Sequence, residues 1–425
     1  MEISEEVVIV GGGIAGLATA LALKRVGIEA LVLERSPELR TTGAALTLFP
    51  NAWLALEALG VAHKLTSIYS PIKKGYVINV ANGATQEVSY TGNKETGKGP
   101  IAVHRRALLE TLARELAPGT IRFSSKLTSI RAVTVDDEIS SSIAIISLDD
   151  GTVIRAKVLI GCDGVHSVVA RWLGLKAPVG SGRSGIRGLA VYPQGHGFKH
   201  EVYQFVDQGK RAAYVPLTDK ELYWFSTSTF TFKDEKIAAD PKLLQKDVME
   251  LAKDFPPSFL DVVQHSDLAT LTWAEPKFRY PWDLIFGHVC KGNITVAGDA
   301  MHPMTPDLGQ GGCSALEDAV VLGRHMAKSL LPNPNGHGQI VAVEAARAIE
   351  GYVKERRWRA VGLITGSYLS GWVQQNGSGF FMKFLRDVIF YKFLSNWVFD
   401  VHYNCGKLPN ASSLSESDAD QTKMD

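Results

Sequence analysis

The chain has 425 residues, and at about 150 residues per domain this length predicts two to three domains. Apolar residues make up 45% and charged residues 21%, which is typical of soluble globular proteins and excludes wholesale disorder, a collagen-like repeat and a coiled coil. The 45 Lys and Arg residues against 44 Asp and Glu residues leave a formal charge of +1, so nucleic acid is not an expected partner.

The four cysteines have no paired spacing that suits zinc or a redox pair, so we expect free thiols in a reducing compartment and no metal site. The acidic N-terminus runs directly into a predicted strand without the features of a signal or transit peptide, and we expect a cytoplasmic protein. No uninterrupted apolar run reaches the roughly 18 residues that a membrane-spanning helix needs.

The N-terminal region predicts a βαβ unit. A β-branched run from Val7 to Val10 leads into a glycine turn, an apolar stretch of helical character to about Val26, and a second strand from Ala30 to Leu33. The turn fits the pattern G-x-G-x-x-G, in which glycines let the backbone approach a pyrophosphate and the helix offers unpaired N–H groups. The expected cofactor contacts are Gly11, Gly13, Ile14, Ala15 and Gly16.

The second strand ends at an acidic residue, Glu34, which lies where a ribose hydroxyl would be accepted, and we include Arg35 beside it in the predicted site. The alternative for the glycine loop is a structural turn, and the loop alone does not distinguish NAD from FAD.

Later segments divide the chain into parts. Alternating strands dominate residues 178–284, and a buried strand from Ile294 to Ala297 precedes a helix predicted from Ser314 to Leu331. We therefore predict an α/β protein with a Rossmann-like nucleotide-binding domain (1–74, 101–177 and 286–350) and an inserted antiparallel-sheet substrate domain (75–100 and 178–285). C-terminal helices (351–408) and a disordered tail (409–425) complete the predicted organisation.

A second motif runs from Val296 to Gly312 and favours FAD. Asp299 follows a strand and can accept a hydroxyl of a polyol chain. The N–H groups near Gly311 and Gly312, preceded by Gly309, can face the pyrimidine edge of a flavin, where negative charge collects on reduction. The alternative is a helix cap with Asp299 in an unrelated turn.

Together these motifs resemble those of the FAD-dependent aromatic hydroxylases, the group A flavoprotein monooxygenases of the para-hydroxybenzoate hydroxylase fold. The resemblance spans roughly residues 5–360 and includes a segment from Asp163 to Arg171 that looks like the family's Asp-Gly motif. It implies that Asp163 serves both FAD and the transient docking of NAD(P)H, although a helix cap is an alternative for this carboxylate. The family's Arg-x-x-Leu-x-x-x-Leu motif is matched from Arg105 to Leu112, which implies that Arg105 contacts the ribityl or phosphate region of the flavin.

The segment Gly-Gln-Gly-Gly-Cys, ending at Cys313, is similar to plant zeaxanthin epoxidases and related plant monooxygenases, and it leaves the substrate class open. By resemblance, NAD(P)H reduces FAD, O₂ forms a flavin hydroperoxide, and one oxygen atom is transferred to a small aromatic or lipophilic metabolite by hydroxylation or epoxidation. The alternatives are a FAD-dependent reductase or dehydrogenase and a catalytically silent FAD-binding partner protein. No second glycine fingerprint predicts a separate NAD(P)H domain.

Three residues are candidates for direct roles in the reaction. His302 and Pro306 follow Asp299, and the Pro306 carbonyl is expected to border the oxygen-transfer site. Arg187 is a candidate anchor for an anionic substrate. For His302 the alternative is a structural role, and for Arg187 it is a solvated strand end. Aromatic residues of the inserted domain are expected either in the pocket or in the sheet core: Tyr203, Phe205, Tyr214, Tyr223 and Phe225.

An aromatic segment from Phe380 to Leu394 carries its charged residues around the whole predicted helix and not on one face. This pattern favours packing against the nucleotide-binding domain, and membrane contact is the second option.

Overall fold

A computed structural model describes residues 2–40, 44–90, 92, 97–134, 142–229, 240–331, 339–375 and 403–409. The aromatic segment 380–394 and residues 410–425 of the predicted tail lie outside the described residues. Within the described ranges, no helix combines the length and the apolar character needed to cross a bilayer.

The chain forms these strands, in order: β1 (Glu2–Val10), β2 (Leu31–Leu33), β3 (Ala45–Leu48), β4 (Lys74–Asn79), β5 (Thr85–Ser89), β6 (Ile101–His104), β7 (Ile121–Arg122), β8 (Leu127–Thr134), β9 (Ser142–Leu148), β10 (Val153–Gly161), β11 (Val179–Gly180), β12 (Ser184–Val191), β13 (Val202–Asp207), β14 (Lys210–Pro216), β15 (Glu221–Ser228), β16 (Thr272–Ala274), β17 (Lys277–Phe278), β18 (Cys290–Lys291), β19 (Ile294–Val296), β20 (Leu330–Leu331) and β21 (Gln339–Ile340).

The helices are, in order, α1 (Ile14–Arg25), α2 (Pro50–Ala58), α3 (Ala62–Thr66), α4 (Arg105–Ala113), α5 (Val168–Trp172), α6 (Pro241–Leu251), α7 (Pro257–Gln264), α8 (Pro281–Ile285), α9 (Gly311–Met326) and α10 (Ala342–Gln375). Short 3-10 turns cover Gly164–His166, Leu268–Thr270, Gly298–Ala300, Pro306–Leu308 and Ala327–Ser329.

The first sheet has the strand order β18-β19-β10-β1-β2-β7, and strands β19, β10, β1, β2 and β7 run parallel to one another. Strands of a parallel sheet that is covered on both faces are continuously apolar, and Val7, Val8 and Ile9 of β1 are fully buried. The predicted βαβ unit is therefore confirmed. A turn from Asp149 to Gly151 joins β9 to β10 as an antiparallel hairpin.

The second sheet has the order β16-β12-β15-β14-β13-β4-β5 and is antiparallel except where β13 pairs with β4. Because side chains alternate across a strand, its two faces differ. Phe205 and Trp224 lie on one face, which α6 and α7 cover through Val248 and Phe259. Tyr223 and Phe225 lie on the other face, where Tyr223 packs in a cluster with Ala45 of β3 and Ala102 of β6.

This second sheet draws its strands from Lys74–Ser89, Ser184–Ser228 and Thr272–Ala274. These ranges are compatible with the predicted domain boundaries, which stay a prediction. The fold class is confirmed as a mixed α/β fold with a C-terminal helical segment, in which α10 packs on α9.

The helix predicted from Ser314 begins instead at Gly311 and ends at Met326. It ends early because Leu330 and Leu331 pair with the strand from Gln339 to Ile340. All four cysteines are free, and burial raises the pKa of Cys313 to about 12.

Candidate active site and cofactor site

The first glycine loop lies where β1, α1 and the end of β10 meet. Gly11 has a φ of +106°, and a Cβ there would lie 2.4 Å from the carbonyl oxygen of Cys162. A Cβ on Gly16 would lie 1.9 Å from the carbonyl oxygen of Gly11. These two positions accept only glycine, because the helix and both strands approach one another at backbone distance.

Gly13 has a different environment. It precedes α1 in extended conformation, and no side chain caps the helix. A Cβ on Gly13 would meet no described atom within 4 Å. The first-turn N–H groups, including those of Ile14 and Ala15, therefore open onto free space at the positive end of the helix dipole, which is a suitable cradle for a pyrophosphate.

Glu34 is 9% exposed at the end of β2. Its Oε2 accepts a hydrogen bond from the N–H of Gly12 at 2.7 Å, and its Oε1 accepts one from the N–H of Ser36 at 2.9 Å. Each oxygen keeps a lone pair that can accept a ribose hydroxyl. Arg35, beside it, is exposed to solvent.

The second loop meets the first at Gly298. This residue has a φ of +60°, and a Cβ there would lie 2.7 Å from the Cβ of Ala15. Asp299 follows, open to solvent, and a Cβ on Gly311 would lie 3.9 Å from its Oδ1. The carboxylate thus lies beside the start of α9, which no side chain caps. Gly309 has a φ of +64°, and Gly312 packs on Leu46 and Ile14.

Charges converge around Asp299. Desolvation by the surrounding protein raises the pKa of Asp299, while the nearby charges of His302 and Arg105 lower it. Arg105, at the first turn of α4, has its pKa lowered by burial and by the neighbouring cations Arg187 and Arg40, and raised by Asp299. Among the described residues Arg105 forms no ion pair, so its guanidinium is available to a phosphate or to another anionic group.

Asp163 caps α5. Its Oδ2 accepts hydrogen bonds from the N–H of Val168 at 2.6 Å and from the N–H of Val169 at 3.4 Å, and Ser167 Oγ donates to Oδ1. Burial raises the pKa of Asp163 against the effect of these hydrogen bonds. These bonds to the first turn of α5 agree with the helix-cap alternative for this carboxylate. A contact of Asp163 with FAD or NAD(P)H stays a prediction.

His302 is fully buried and is held by a network that joins α9 to α10. Its Nε2 lies 2.6 Å from Asp318 Oδ2, and the Nε of Arg356 donates to Asp318 Oδ1 at 2.7 Å. Arg356 Nη2 lies 2.6 Å from Glu317 Oε2. Burial lowers the pKa of His302, but Asp318 raises it by more. Burial would raise the pKa of Asp318, and His302 and Arg356 instead lower it to about 2.

This arrangement places the His302 side chain beneath the Asp299 loop, where it is fully covered by protein. A structural role for His302, the alternative to a direct role in the reaction, accounts for these contacts. We propose that His302 is a positioning residue. The partners Asp318 and Arg356 were not predicted from the sequence. An acidic pair in the apolar helix α9, together with arginines in the apolar face of α10, could have indicated a buried ion-pair network.

Pro306 is exposed at the start of the next turn, and Asp307 behind it is buried. Arg183 clasps Asp307 with two bonds, from Nη1 to Oδ1 at 2.9 Å and from Nη2 to Oδ2 at 2.6 Å. Arg211 Nη1 adds a contact to the Asp307 carbonyl oxygen at 3.4 Å. Arg211 belongs to β14, and Arg183 directly precedes β12. The two arginines therefore fix the Pro306 loop against the second sheet. This clasp was not predicted from the sequence, where only the position of a charged residue between Pro306 and Gly309 is unusual.

A further buried arginine braces the Asp299 loop from below. Arg279 is 2% exposed, and its guanidinium donates to the carbonyl oxygens of Met301 at 3.1 Å and Ala300 at 3.3 Å and to that of Lys176. Its own N–H donates to the carbonyl oxygen of Pro303 at 3.0 Å. Nothing in the sequence singled out Arg279.

The wall opposite the loop belongs to the face of the second sheet that α6 and α7 do not cover. Arg187 of β12 is exposed, its Nε donates to Thr272 Oγ1 at 3.2 Å, and it is hydrogen-bonded to Tyr223. Phe225 is paired with Arg187 in the sheet and lies under the guanidinium of Arg211, 5.7 Å from the ring centre. Of the five aromatic candidates, only Tyr223 and Phe225 lie on this wall, while Tyr203, Phe205 and Tyr214 lie on the helix-covered face.

These groups fit FAD. The open cradle at Gly13 and the uncapped start of α1 suit its pyrophosphate, Glu34 suits a ribose, and Asp299 beside α9 suits the polyol and flavin end. The two loops meet at Gly298, so one extended dinucleotide can lie along both.

Comparison with known proteins agrees with this geometry. The family described as FAD binding domain matches residues 4–339. Monooxygenase 2 of Arabidopsis thaliana is 40% identical over 411 residues, which cover 95% of this chain and 98% of the relative. The FAD-dependent urate hydroxylase of Mycolicibacterium vanbaalenii is 28% identical over 331 residues, 75% of this chain and 78% of the relative.

A solved structure, Klebsiella pneumoniae HpxO complexed with FAD and uric acid, has the same fold. Its TM-score is 0.74 at 22% identity, and the match covers 98% of this chain and 96% of that chain. With the family match, the Arabidopsis relative and the fitting cofactor site taken together, the chain belongs to the FAD binding domain family and is a FAD-dependent monooxygenase of the group A flavoprotein type.

Proposed function

We propose that this monooxygenase uses NAD(P)H and O₂ to insert one oxygen atom into a small aromatic or lipophilic metabolite, by hydroxylation or epoxidation. The observation that carries the proposal is the wall of Tyr223 and Phe225, which faces the loop that bears Asp299 and Pro306. Two sides of one space thus offer a cofactor site and an apolar aromatic surface. The names of two relatives, a urate hydroxylase and an aurachin C monooxygenase/isomerase, support a small ring-containing substrate.

Bound FAD supplies the chemistry of O₂ activation. The residues that we propose to hold it are Gly11, Gly13, Ile14, Ala15, Gly16, Glu34, Arg35, Arg105, Asp163, Asp299, Gly309, Gly311 and Gly312. The unpaired N–H groups at the start of α9 would favour negative charge near them, because the dipole of this helix is positive at that end.

The remaining residues prepare the space where oxygen is transferred. Pro306 borders it in our proposal, and the clasp on Asp307 holds that loop in place. His302 supports the loop from beneath through Asp318. Arg187 is exposed on the substrate wall and forms no ion pair within the described chain, so it can orient a substrate that carries a negative or a strongly polar group. The apolar side chains around it limit the access of water.

The test is a screen of metabolites for compounds that accelerate NADH or NADPH oxidation by the FAD-loaded chain, followed by mass spectrometry of products made under ¹⁸O₂. We expect at least one ring-containing compound to stimulate oxidation and to gain one ¹⁸O atom. Stimulated oxidation that yields only unlabelled, dehydrogenated or reduced products would instead establish a reductase or dehydrogenase and overturn oxygen transfer.

A further inference from the structure

One part of the surface collects the strongly exposed aromatic side chains. Ten large apolar residues are strongly exposed in the described part of the chain, and six of these, including every Phe, Tyr and Trp among them, lie on or beside α8 and α10. We call this set the α8–α10 patch: Tyr280, Trp282, Phe286, Trp358, Tyr368 and Trp372. Scattered single apolar residues are normal on a soluble protein, whereas a contiguous group marks an interaction site.

Two rings of the patch stack on each other, and the buried ring of Phe278 links them to a third. Tyr280 stacks on Trp282 with 4.4 Å between ring centres, and Phe278 lies 5.3 Å from Tyr280 and 4.8 Å from Tyr368. Arg357 Nη1 donates to the Ile285 carbonyl oxygen at 3.2 Å and so ties α10 to the end of α8. These contacts connect Tyr280, Trp282 and Tyr368, and they hold α10 beside the end of α8.

The patch stands on the outside of the helices. At about 100° per residue, Trp358, Tyr368 and Trp372 fall within an arc of about 80° on α10. Arg356 lies on the opposite side of this helix, in the buried network. Trp282 is 50% exposed, Phe286 is 82% exposed and Trp358 is 65% exposed. These rings project from the helix surfaces.

Cations surround the patch. The Lys176 side chain is 78% exposed, and its Nζ lies 3.9 Å from Asp283, whose carboxylate is buried in α8. Lys354 and Arg357 line a hollow with Trp358, to which Glu350 contributes one carboxylate. Exposed positive charge beside exposed tryptophan is complementary to an anionic lipid surface.

We propose that the α8–α10 patch docks the enzyme on an anionic membrane surface. Trp and Tyr favour the zone between lipid headgroups and acyl chains, because their rings are apolar and their N–H or O–H groups are polar. Phe286 would enter the apolar side of this zone, and Lys176 and Lys354 would meet the headgroups.

Docking would bring the lipid surface close to the candidate active site. Gly371, next to Trp372, packs on the Asp307 clasp, since a Cβ on Gly371 would lie 2.5 Å from Asp307 Oδ2 and 2.5 Å from Arg183 Nη1. The end of the patch thus adjoins the loop that carries Pro306, and a lipophilic compound could pass from the bilayer to the enzyme over a short distance.

The experiment measures co-sedimentation of the full FAD-loaded chain with phosphatidylcholine vesicles and with vesicles that also contain phosphatidylserine. We expect binding that is stronger to the anionic vesicles and weaker at high salt. The combined substitution Trp282→Ser, Phe286→Ser and Trp358→Ser should reduce the vesicle partition coefficient by about tenfold or more. The matched control removes exposed apolar side chains elsewhere, with Ile68→Ser and Leu243→Ser, and should bind as the unaltered chain does.

Two further measurements keep the test independent of folding. The conservative triple substitution Trp282→Phe, Trp358→Phe and Trp372→Phe should lose most of the fluorescence quenching that brominated lipids cause in the unaltered chain. Lys176→Glu with Lys354→Glu should remove the preference for phosphatidylserine. The proposal is overturned if the unaltered chain binds neither vesicle, or if the triple substitution binds as tightly as the control. It is also overturned if the triple substitution dissociates an oligomer and leaves vesicle binding unchanged.

Discussion

At the scale of single residues, two glycines of the first loop separate folding from cofactor binding. Gly16→Ala should destabilise the chain, because the new Cβ would lie 1.9 Å from a backbone oxygen. Gly13→Ala should leave the melting temperature of the FAD-free protein nearly unchanged and weaken FAD binding by about tenfold or more, because the methyl group enters the open cradle. Thermal melting and FAD titration test both. Equal loss of stability in the two variants would contradict this assignment of the cradle.

The two faces of the second sheet provide another test with single residues. Phe225→Leu should raise KM for the substrate several-fold and leave FAD affinity unchanged, because Phe225 lies on the wall that faces the cofactor loop. Tyr203→Leu, on the helix-covered face, should lower stability and leave KM unchanged. Steady-state kinetics and thermal melting of both variants are the measurements. A shift of KM by Tyr203→Leu alone would reverse the assignment of the faces.

The residues that we propose to hold FAD could be selected from the sequence because glycine spacing and strand-end carboxylates are local features. Glu34, Asp299 and the glycines needed only their neighbours along the chain. Arg279 and the Asp307 clasp could not be predicted, since each depends on contacts between residues about 20 or more positions apart, which no local pattern contains. Asp163 shows the remaining ambiguity, because a helix cap and a ligand contact have the same local sequence.

At the scale of elements, a buried arginine, Arg356, joins α10 to two carboxylates of α9. Arg356→Met should destabilise the protein by about 3–5 kcal/mol, because the buried Glu317 would keep only Arg359 as an oppositely charged partner and the buried Asp318 only His302. Arg347→Met is the matched control on the same helix, where the side chain is 69% exposed and little change in melting temperature is expected. Denaturant unfolding of both variants tests this, and a loss below about 1 kcal/mol for Arg356→Met would show that the network relaxes around the vacancy.

Element boundaries followed less directly from sequence than element types. The helix expected from Ser314 begins at Gly311, because the packing of Gly312 on Ile14 and Leu46 outweighs the low helix propensity of glycine. Period-two alternation identified the strands of the second sheet. It could not say which face α6 and α7 would cover, since both faces carry aromatic side chains.

At the scale of the whole molecule, buried carboxylates set the response to acid. Asp307, Glu317 and Asp318 all have pKa values lowered in the folded protein by arginine or histidine partners, and that of Asp318 falls to about 2. Unfolded Asp and Glu titrate near about 4, so these groups stabilise the fold above that pH and lose their contribution as the pH falls toward about 2. His302 has the opposite sign, since its pKa is raised and its contribution is lost as the pH rises.

The expected result is a melting temperature of the FAD-free chain that declines steeply between about pH 5 and about pH 2. In Arg356→Met the decline should begin at higher pH, because the carboxylates lose the cation that lowers their pKa. A flat profile over this range would contradict the role assigned to the three carboxylates.

The ring of Tyr403 lies over two arginine side chains, 5.2 Å from Arg356 and 5.0 Å from Arg359. This places a residue near the carboxyl terminus on top of the charges that hold α10 in position. A premature stop codon shortly before codon 403 would therefore open the arginine network to water, and quality-control proteases would be expected to remove the shortened chain.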